Sequence, residues 1–169
     1  MKKTVLLLAC VVSGAAFAQP AGRPAATISG DLTAFRWFGQ LVGSCWKATH
    51  PDGKTSDVQC YTSQFGKFIR GSIKVSPGNF EGDSLYWWDA KNNRVAYQQW
   101  ASNGLVARGE AAFDGEVMLY IDPPQPGATE SASRAAWRRV DAKTFTVSRE
   151  QREAGAWKEA YKVTYTRTK

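Results

Sequence analysis

The sequence has little of the chemistry on which most catalysis and metal binding depend: one histidine, three cysteines and two methionines in 169 residues. A lone histidine, His50, excludes a zinc site built on paired imidazoles, and no serine or cysteine stands in a nucleophile pattern. Gly-x-Ser-x-Gly, His-Glu-x-x-His, phosphate-loop and dinucleotide fingerprints are missing as well. His50 adjoins the turn signal Pro51-Asp52-Gly53 and reads as an exposed turn residue. The acids Asp83, Asp89, Glu110 and Glu159 remain for general acid and base work, but no spacing singles out two of them. No catalytic residue, metal ligand or cofactor is assigned, and an enzyme is the least favoured reading.

Also missing is an apolar run of the roughly 20 residues that a membrane-spanning helix needs. The one apolar run, residues 4–12, is shorter; Lys2 and Lys3 precede it, and Ala16-Phe17-Ala18 supplies small residues where signal peptidase reads. A signal peptide over 1–18 is expected, cut between Ala18 and Gln19, with the product periplasmic or secreted. Leu7-Leu8-Ala9-Cys10 is similar to the box before a lipid-modified cysteine, but it lies too close to Lys3 for a normal apolar region and ranks below cleavage after Ala18.

Basic residues outnumber acidic ones, 22 to 15, and the chain stays basic without Lys2 and Lys3. That balance suits anionic partners or simple solubility. Arg134, Arg138, Arg139, Arg149 and Arg152 are spread over two candidate strands, which reads as solvated surface. No nucleic-acid module is present, and nucleic acid is not an expected partner.

After cleavage only Cys45 and Cys60 remain, in an oxidising compartment where two cysteines usually pair. The turn Pro51-Asp52-Gly53-Lys54 lies midway between them. A two- or four-residue loop puts the cysteines directly across from each other, whereas a three-residue loop with a bulge at Gly53 gives the other parity. Pairing favours the first. Without a Cys-x-x-Cys spacing the disulfide reads as a structural staple.

Residues 19–29 are rich in Ala, Gly, Pro and Arg and read as a flexible leader; a single domain is expected over 30–169. Leu32, Phe35, Phe38, Leu41 and Val42 recur at helical spacing, with Asp31 in the first turn and Gly43 to terminate, which predicts a short amphipathic helix. Beyond it, turn signals separate strands expected at 43–50, 55–63, 67–76, 81–89, 94–101, 105–113, 115–122, 131–140, 144–151 and 157–168. Nearly every connection is a hairpin. The expected fold is all-β: an antiparallel up-and-down β-barrel of about ten strands with a short N-terminal helix. Pro123, Pro124 and Pro126 mark a longer loop at one mouth.

The stretch 85–100 carries Tyr86, Trp87, Trp88, Tyr97 and Trp100. A four-residue loop at 90–93, with Asn93 left-handed, pairs Asp89 with Arg94, Trp88 with Val95 and Tyr86 with Tyr97. Tyr86, Trp88 and Tyr97 then share a face, expected to line the lumen; Trp87 and Trp100 share the other, expected to pack beneath covering structure. Alternation along the last strand turns Trp157, Glu159, Tyr161, Val163, Tyr165 and Arg167 inward. Tyr86, Trp88, Tyr97, Tyr161, Tyr165 and Arg167 are therefore the candidate ligand-binding residues, and inward Gly71 and Gly109 favour room for a ligand.

Four features together resemble exported domain-of-unknown-function families with lipocalin-like, or calycin-like, barrels. They are Leu41-Val42-Gly43-Ser44-Cys45-Trp46 after the helix, the aromatic run into Asp89, the turn from Trp100 to Gly104, and the ending from Trp137 to Arg167. The similarity spans about residues 32–168. Two residues separate Gly43 from Trp46 where the lipocalin pattern has one, and the last strand lacks the histidine that haem-binding barrels of the nitrobindin type use. The resemblance implies a barrel with a helix near one end and a small-ligand pocket, with no cofactor. The expected function is binding of a small amphipathic ligand in the barrel interior, with no nucleic acid and no membrane span. The alternative is a cell-envelope interaction protein with a filled barrel, its outer aromatic face serving a homodimer. A carboxylate-dependent enzyme is third.

Overall fold

A computed structural model describes residues 31–124, 126 and 130–168. The expected signal peptide, its cleavage site and the leader lie outside the described residues. Ten strands follow one another: β1 (Ser44–Thr49), β2 (Ser56–Gln64), β3 (Phe68–Ser76), β4 (Glu81–Asp89), β5 (Arg94–Ala101), β6 (Val106–Asp114), β7 (Val117–Ile121), β8 (Ser133–Arg139), β9 (Thr144–Glu153) and β10 (Ala156–Thr168). Each pairs antiparallel with the next, and β10 pairs with β1 to close the barrel. Closure leaves no unpaired edge, which is what short hairpin connections between alternating strands favour. Among the described residues no helix is long and apolar enough to cross a membrane.

Turn chemistry sets the registers. His50 donates its N–H to the Thr55 carbonyl, 2.8 Å, which leaves a four-residue loop with Gly53 at φ +68°, where glycine carries no Cβ penalty. Asp52 braces that loop by accepting from the backbone of Lys54 and Thr55. Cys45 therefore stands opposite Cys60, and the two form the disulfide. Asn93 takes φ +53° at the β4–β5 turn and sets the expected partners, Tyr86 with Tyr97 and Trp88 with Val95.

The last hairpin departs from simple alternation. The β9–β10 register shifts between Glu159 and Tyr161, so Glu159 pairs with Glu150 while Tyr161 pairs with Arg149. A bulge of this kind reverses the faces on either side of it. Tyr161, Val163 and Tyr165 point inward as expected, but Trp157 and Glu159 are turned to the outer face. There the Arg134 guanidinium lies 4.3 Å from the Trp157 ring centre, and Glu159 pairs with Lys162.

The expected amphipathic helix is a 3-10 segment, Leu32–Leu41, broken at Arg36, which has φ +51°. Asp31 caps it by accepting from the Thr33 N–H, and Val42 leaves it in an extended conformation ahead of Gly43. The break has a cause in packing: Arg36 reaches the Gly115 carbonyl, 3.0 Å, and lies over the Phe113 ring, while Phe35, Trp37, Phe38 and Leu41 are all buried. One regular helical face could not bury residues at positions 35, 37 and 38 together. The segment plugs one end of the barrel. Phe38 contacts Tyr61 of β2, Tyr86 of β4 and Trp137 of β8 at ring-centre distances of 5.0 to 6.1 Å, and so bridges walls on opposite sides of the lumen. Phe145 stacks on Tyr165 and Trp137 in the same layer.

Candidate functional site

Between the plug and the strands around it there is little space. The cavity between Trp37, Leu41, Trp46 and Phe145 measures about 20 Å³, space for one water. Below the plug the lumen is crossed by tyrosines. The chain has six, and the registers turn Tyr61, Tyr86, Tyr97, Tyr120, Tyr161 and Tyr165 all inward. Gly71 and Gly109 are inward as expected, but they serve close packing: a Cβ on Gly109 would come within 2.5 Å of the Tyr97 hydroxyl, and one on Gly71 within 3.2 Å of the Tyr61 ring. The tyrosine layer uses the space that the two glycines free.

Beyond that layer the inward residues become small or polar. Gly82 and Ser84 on β4, Gln99 and Ala101 on β5, Ala107 on β6 and Ala135 on β8 are all partly accessible, although they face into a closed barrel. Ile73 and Val75 of β3 share this end with them, and together these residues line the mouth of the barrel opposite the plug. Arg149 of β9 faces the same mouth, paired with Asp122 and within reach of the Ser133 hydroxyl.

A continuous hydrogen-bond chain runs along the β1, β2 and β10 wall of this mouth. The Tyr161 hydroxyl meets His50 Nδ1, and His50 Nε2 lies 2.7 Å from Asp57 Oδ2. Tyr165 donates to the same carboxylate oxygen at 2.9 Å, Gln59 donates to Tyr165 at 2.8 Å, and Tyr61 donates to Gln59 at 2.6 Å. Asp57 is 2% exposed, and its other oxygen, Oδ1, has no hydrogen-bond partner. Burial raises the pKa of Tyr165, and the neighbouring Asp57 charge raises it further. Tyr61 is raised by burial and then by Tyr86, Tyr165 and Asp57, and Tyr161 by burial and then by Asp52 and Asp57. These phenols stay protonated at neutral pH and act as donors.

The six candidate ligand-binding residues do not form one pocket. Tyr86, Trp88 and Tyr97 face inward, but Tyr86 is buried against Phe38 and Trp88 packs edge-on to Phe35, both in the plug layer. Tyr161 belongs to the mouth, whereas Tyr165 is buried and stacked on Phe145 in the plug layer. Arg167 lies at the plugged end opposite Trp46, exposed beside Lys143, Cys45 and Cys60 in a surface groove of about 650 Å³ that is open to solvent.

The structure corrects the reading of His50 as an exposed turn residue: it is only 25% exposed and turned inward onto Asp57. The register that joins the cysteines also places His50 and Asp57 on one face, and that was the available signal. The four acids weighed for catalysis have other roles. Asp83 and Glu110 pair with Arg70 and Arg94 on the outer wall, Asp89 braces the β4–β5 turn, and Glu159 is outside the barrel. Trp100, expected under covering structure, is 41% exposed, next to Val106 at 61%. No family model matches this chain, and no curated protein is significantly similar to it.

Proposed function

We propose that this protein is an exported, lipocalin-like barrel that holds a small amphipathic molecule in the mouth opposite its plug. The observation that carries this reading is the change of lining along one lumen. Large rings fill the plugged half, whereas Gly82, Ser84, Ala101, Ala107 and Ala135, with Ile73 and Val75, line the other half beside the polar chain that begins at Tyr161. A concave site with an apolar wall and a few convergent polar groups is the usual form of a small-molecule pocket. Export is supported by the N-terminal Lys2-Lys3, the apolar run and Ala16-Phe17-Ala18, and by the disulfide. The ligand-contacting residue in this reading is Tyr161, with Tyr97 at the floor; Tyr165, buried and stacked on Phe145, supports the wall behind them.

Native mass spectrometry of the protein purified from its own periplasm, together with tyrosine and tryptophan fluorescence during titration with a panel of amphiphiles, tests it. A co-purifying mass or a signal saturating at one equivalent is expected. A bare chain that responds to no amphiphile overturns the ligand reading. The exposed pair of Trp100 and Val106 favours a second reading, a contact face for another copy of the chain. Sedimentation of the native protein beside Trp100→Ser measures it: a dimer lost in the variant supports that face, and a monomer in both removes it.

A further inference from the structure

We infer that the plugged end rests on an anionic phospholipid surface, with Phe65 and Val140 entering the headgroup layer and Lys143 and Arg167 meeting the phosphates; this is independent of what the mouth holds. Phe65 stands at the tip of the β2–β3 hairpin, 89% exposed, in the turn closed by the Lys67 N–H to the Gln64 carbonyl at 3.1 Å. Phe65 has φ +55° and Gly66 has φ +66°. Hairpin turns with two left-handed residues take Asn, Asp or Gly in the first place, because a bulky side chain is disfavoured there. Phe65 therefore combines an unfavourable backbone with an aromatic ring held in water, and the rest of the chain covers almost none of it.

The surroundings of Phe65 match a layer that is anionic and partly apolar. In the closed strand order the β2–β3 turn and the β8–β9 loop stand on either side of β1 and β10 at the plugged end. The β8–β9 loop carries Val140, 59% exposed. Between the two lies the solvent-open groove of about 650 Å³, lined from Thr62 on β2 to Lys143 on the β8–β9 loop, with Arg167 of β10 between them. Lys143 and Arg167 are exposed, and among the described residues neither side chain has an acidic partner. Asp141, the acid of the same loop, is turned to the backbone, where its Oδ1 accepts the Lys143 N–H at 2.7 Å. Lys67 adds a third exposed cation beside Phe65, while Asp114 and Glu116 sit at the β6–β7 turn on the opposite side of the barrel. Apolar tips flanking a cationic groove suit a surface that lies on a bilayer without crossing it: the tips bury apolar area at the headgroup boundary, and the cations add attraction to acidic lipid. A second copy of this chain, docked face to face here, would instead bring like charges together.

Co-sedimentation with vesicles tests the assignment, using phosphatidylcholine alone and an equimolar mixture with phosphatidylglycerol. The native protein is expected to bind the mixed vesicles and to leave the neutral ones alone. Salt should release it, as the Debye length shortens from about 10 Å at 0.1 M to about 3 Å at 1 M. Lys143→Gln together with Arg167→Gln should weaken binding roughly twentyfold to thirtyfold, about fivefold for each cation near the surface. Phe65→Ser should weaken it roughly tenfold through lost apolar burial. These positions are exposed, and unaltered near-UV circular dichroism checks that the barrel is intact in the variants. Trp100→Ser, on the outer wall near the mouth, should leave binding as it is. Failure of the native protein to bind mixed vesicles overturns the assignment, as does equal binding to both kinds of vesicle or a Phe65→Ser protein that binds like the native one. Loss of binding in Trp100→Ser equal to that in Phe65→Ser overturns the choice of this end. A native dimer that Phe65→Ser makes monomeric, with no vesicle binding, overturns it as well and gives the face to a second copy.

Discussion

The two halves of this barrel share one backbone design and differ in what fills them. At the plugged end Phe35, Trp37, Phe38 and Leu41, none of them on a strand, meet Trp46, Tyr61, Tyr86, Trp137 and Phe145. At the other end many of the inward residues are short or polar, and the buried Asp57 is held by hydrogen bonds with His50 and Tyr165. A segment ahead of β1 packs inside one end of the ten-strand barrel and adds its rings to those of the strands. The packing of large rings is thereby concentrated at one end.

Alkali should produce the largest effect. Tyr61, Tyr86, Tyr120, Tyr161 and Tyr165 all have pKa values raised above the ordinary 10, with burial as the leading cause. As pH rises through 10 the unfolded chain releases protons that the folded chain retains, so stability falls by about 1.4 kcal/mol per pH unit for each such group. Absorbance of phenolate should appear together with loss of near-UV dichroism. Phenolate appearing at its ordinary pH in an intact barrel would mean that the tyrosine layer is wet.

Phe38→Ala comes next. It removes the ring that joins β2, β4 and β8, and about 3–5 kcal/mol of stability should go with it in urea unfolding. A loss below 1 kcal/mol would mean that the plug is not what holds this half. Replacing Cys45 and Cys60 with serine frees a loop of 15 residues and should cost about 3 kcal/mol on the chain-entropy model, again by urea unfolding. Gly109→Ala pushes against Tyr97 at the boundary between the halves, and an expected loss of about 1–3 kcal/mol checks that the tyrosine layer is tightly packed.

The smallest effect belongs to the open end. Tyr161→Phe removes one hydroxyl from a half-buried chain and should cost about 1 kcal/mol or less. A cost rivalling Phe38→Ala would abolish the contrast between the halves.

Much of this was legible locally. Asn93 and the loop before β5 announced the aromatic hairpin, and the two cysteines selected a two- or four-residue loop around Gly53 over a three-residue one. The β10 bulge was not legible, because Trp157 and Glu159 alternate correctly with Tyr161, and only pairing with β9 shows the slip. The break at Arg36 was hidden for a similar reason: helical spacing of Leu32, Phe35 and Phe38 holds whether or not the segment must turn Trp37 inward too. Asp57 drew no notice in a polar stretch of β2, where nothing local tells a buried acid from a solvated one.

The sequence by itself determined the number of strands, their order, their turns and, away from the β10 bulge, which residues share a face, because alternation and turn chemistry act over a few residues. Only the tertiary structure decided who meets across the lumen. Phe38 with Trp137, and His50 with Asp57 and Tyr161, are brought together by closing ten tilted strands on one another, and the relative height of distant residues depends on every register between them.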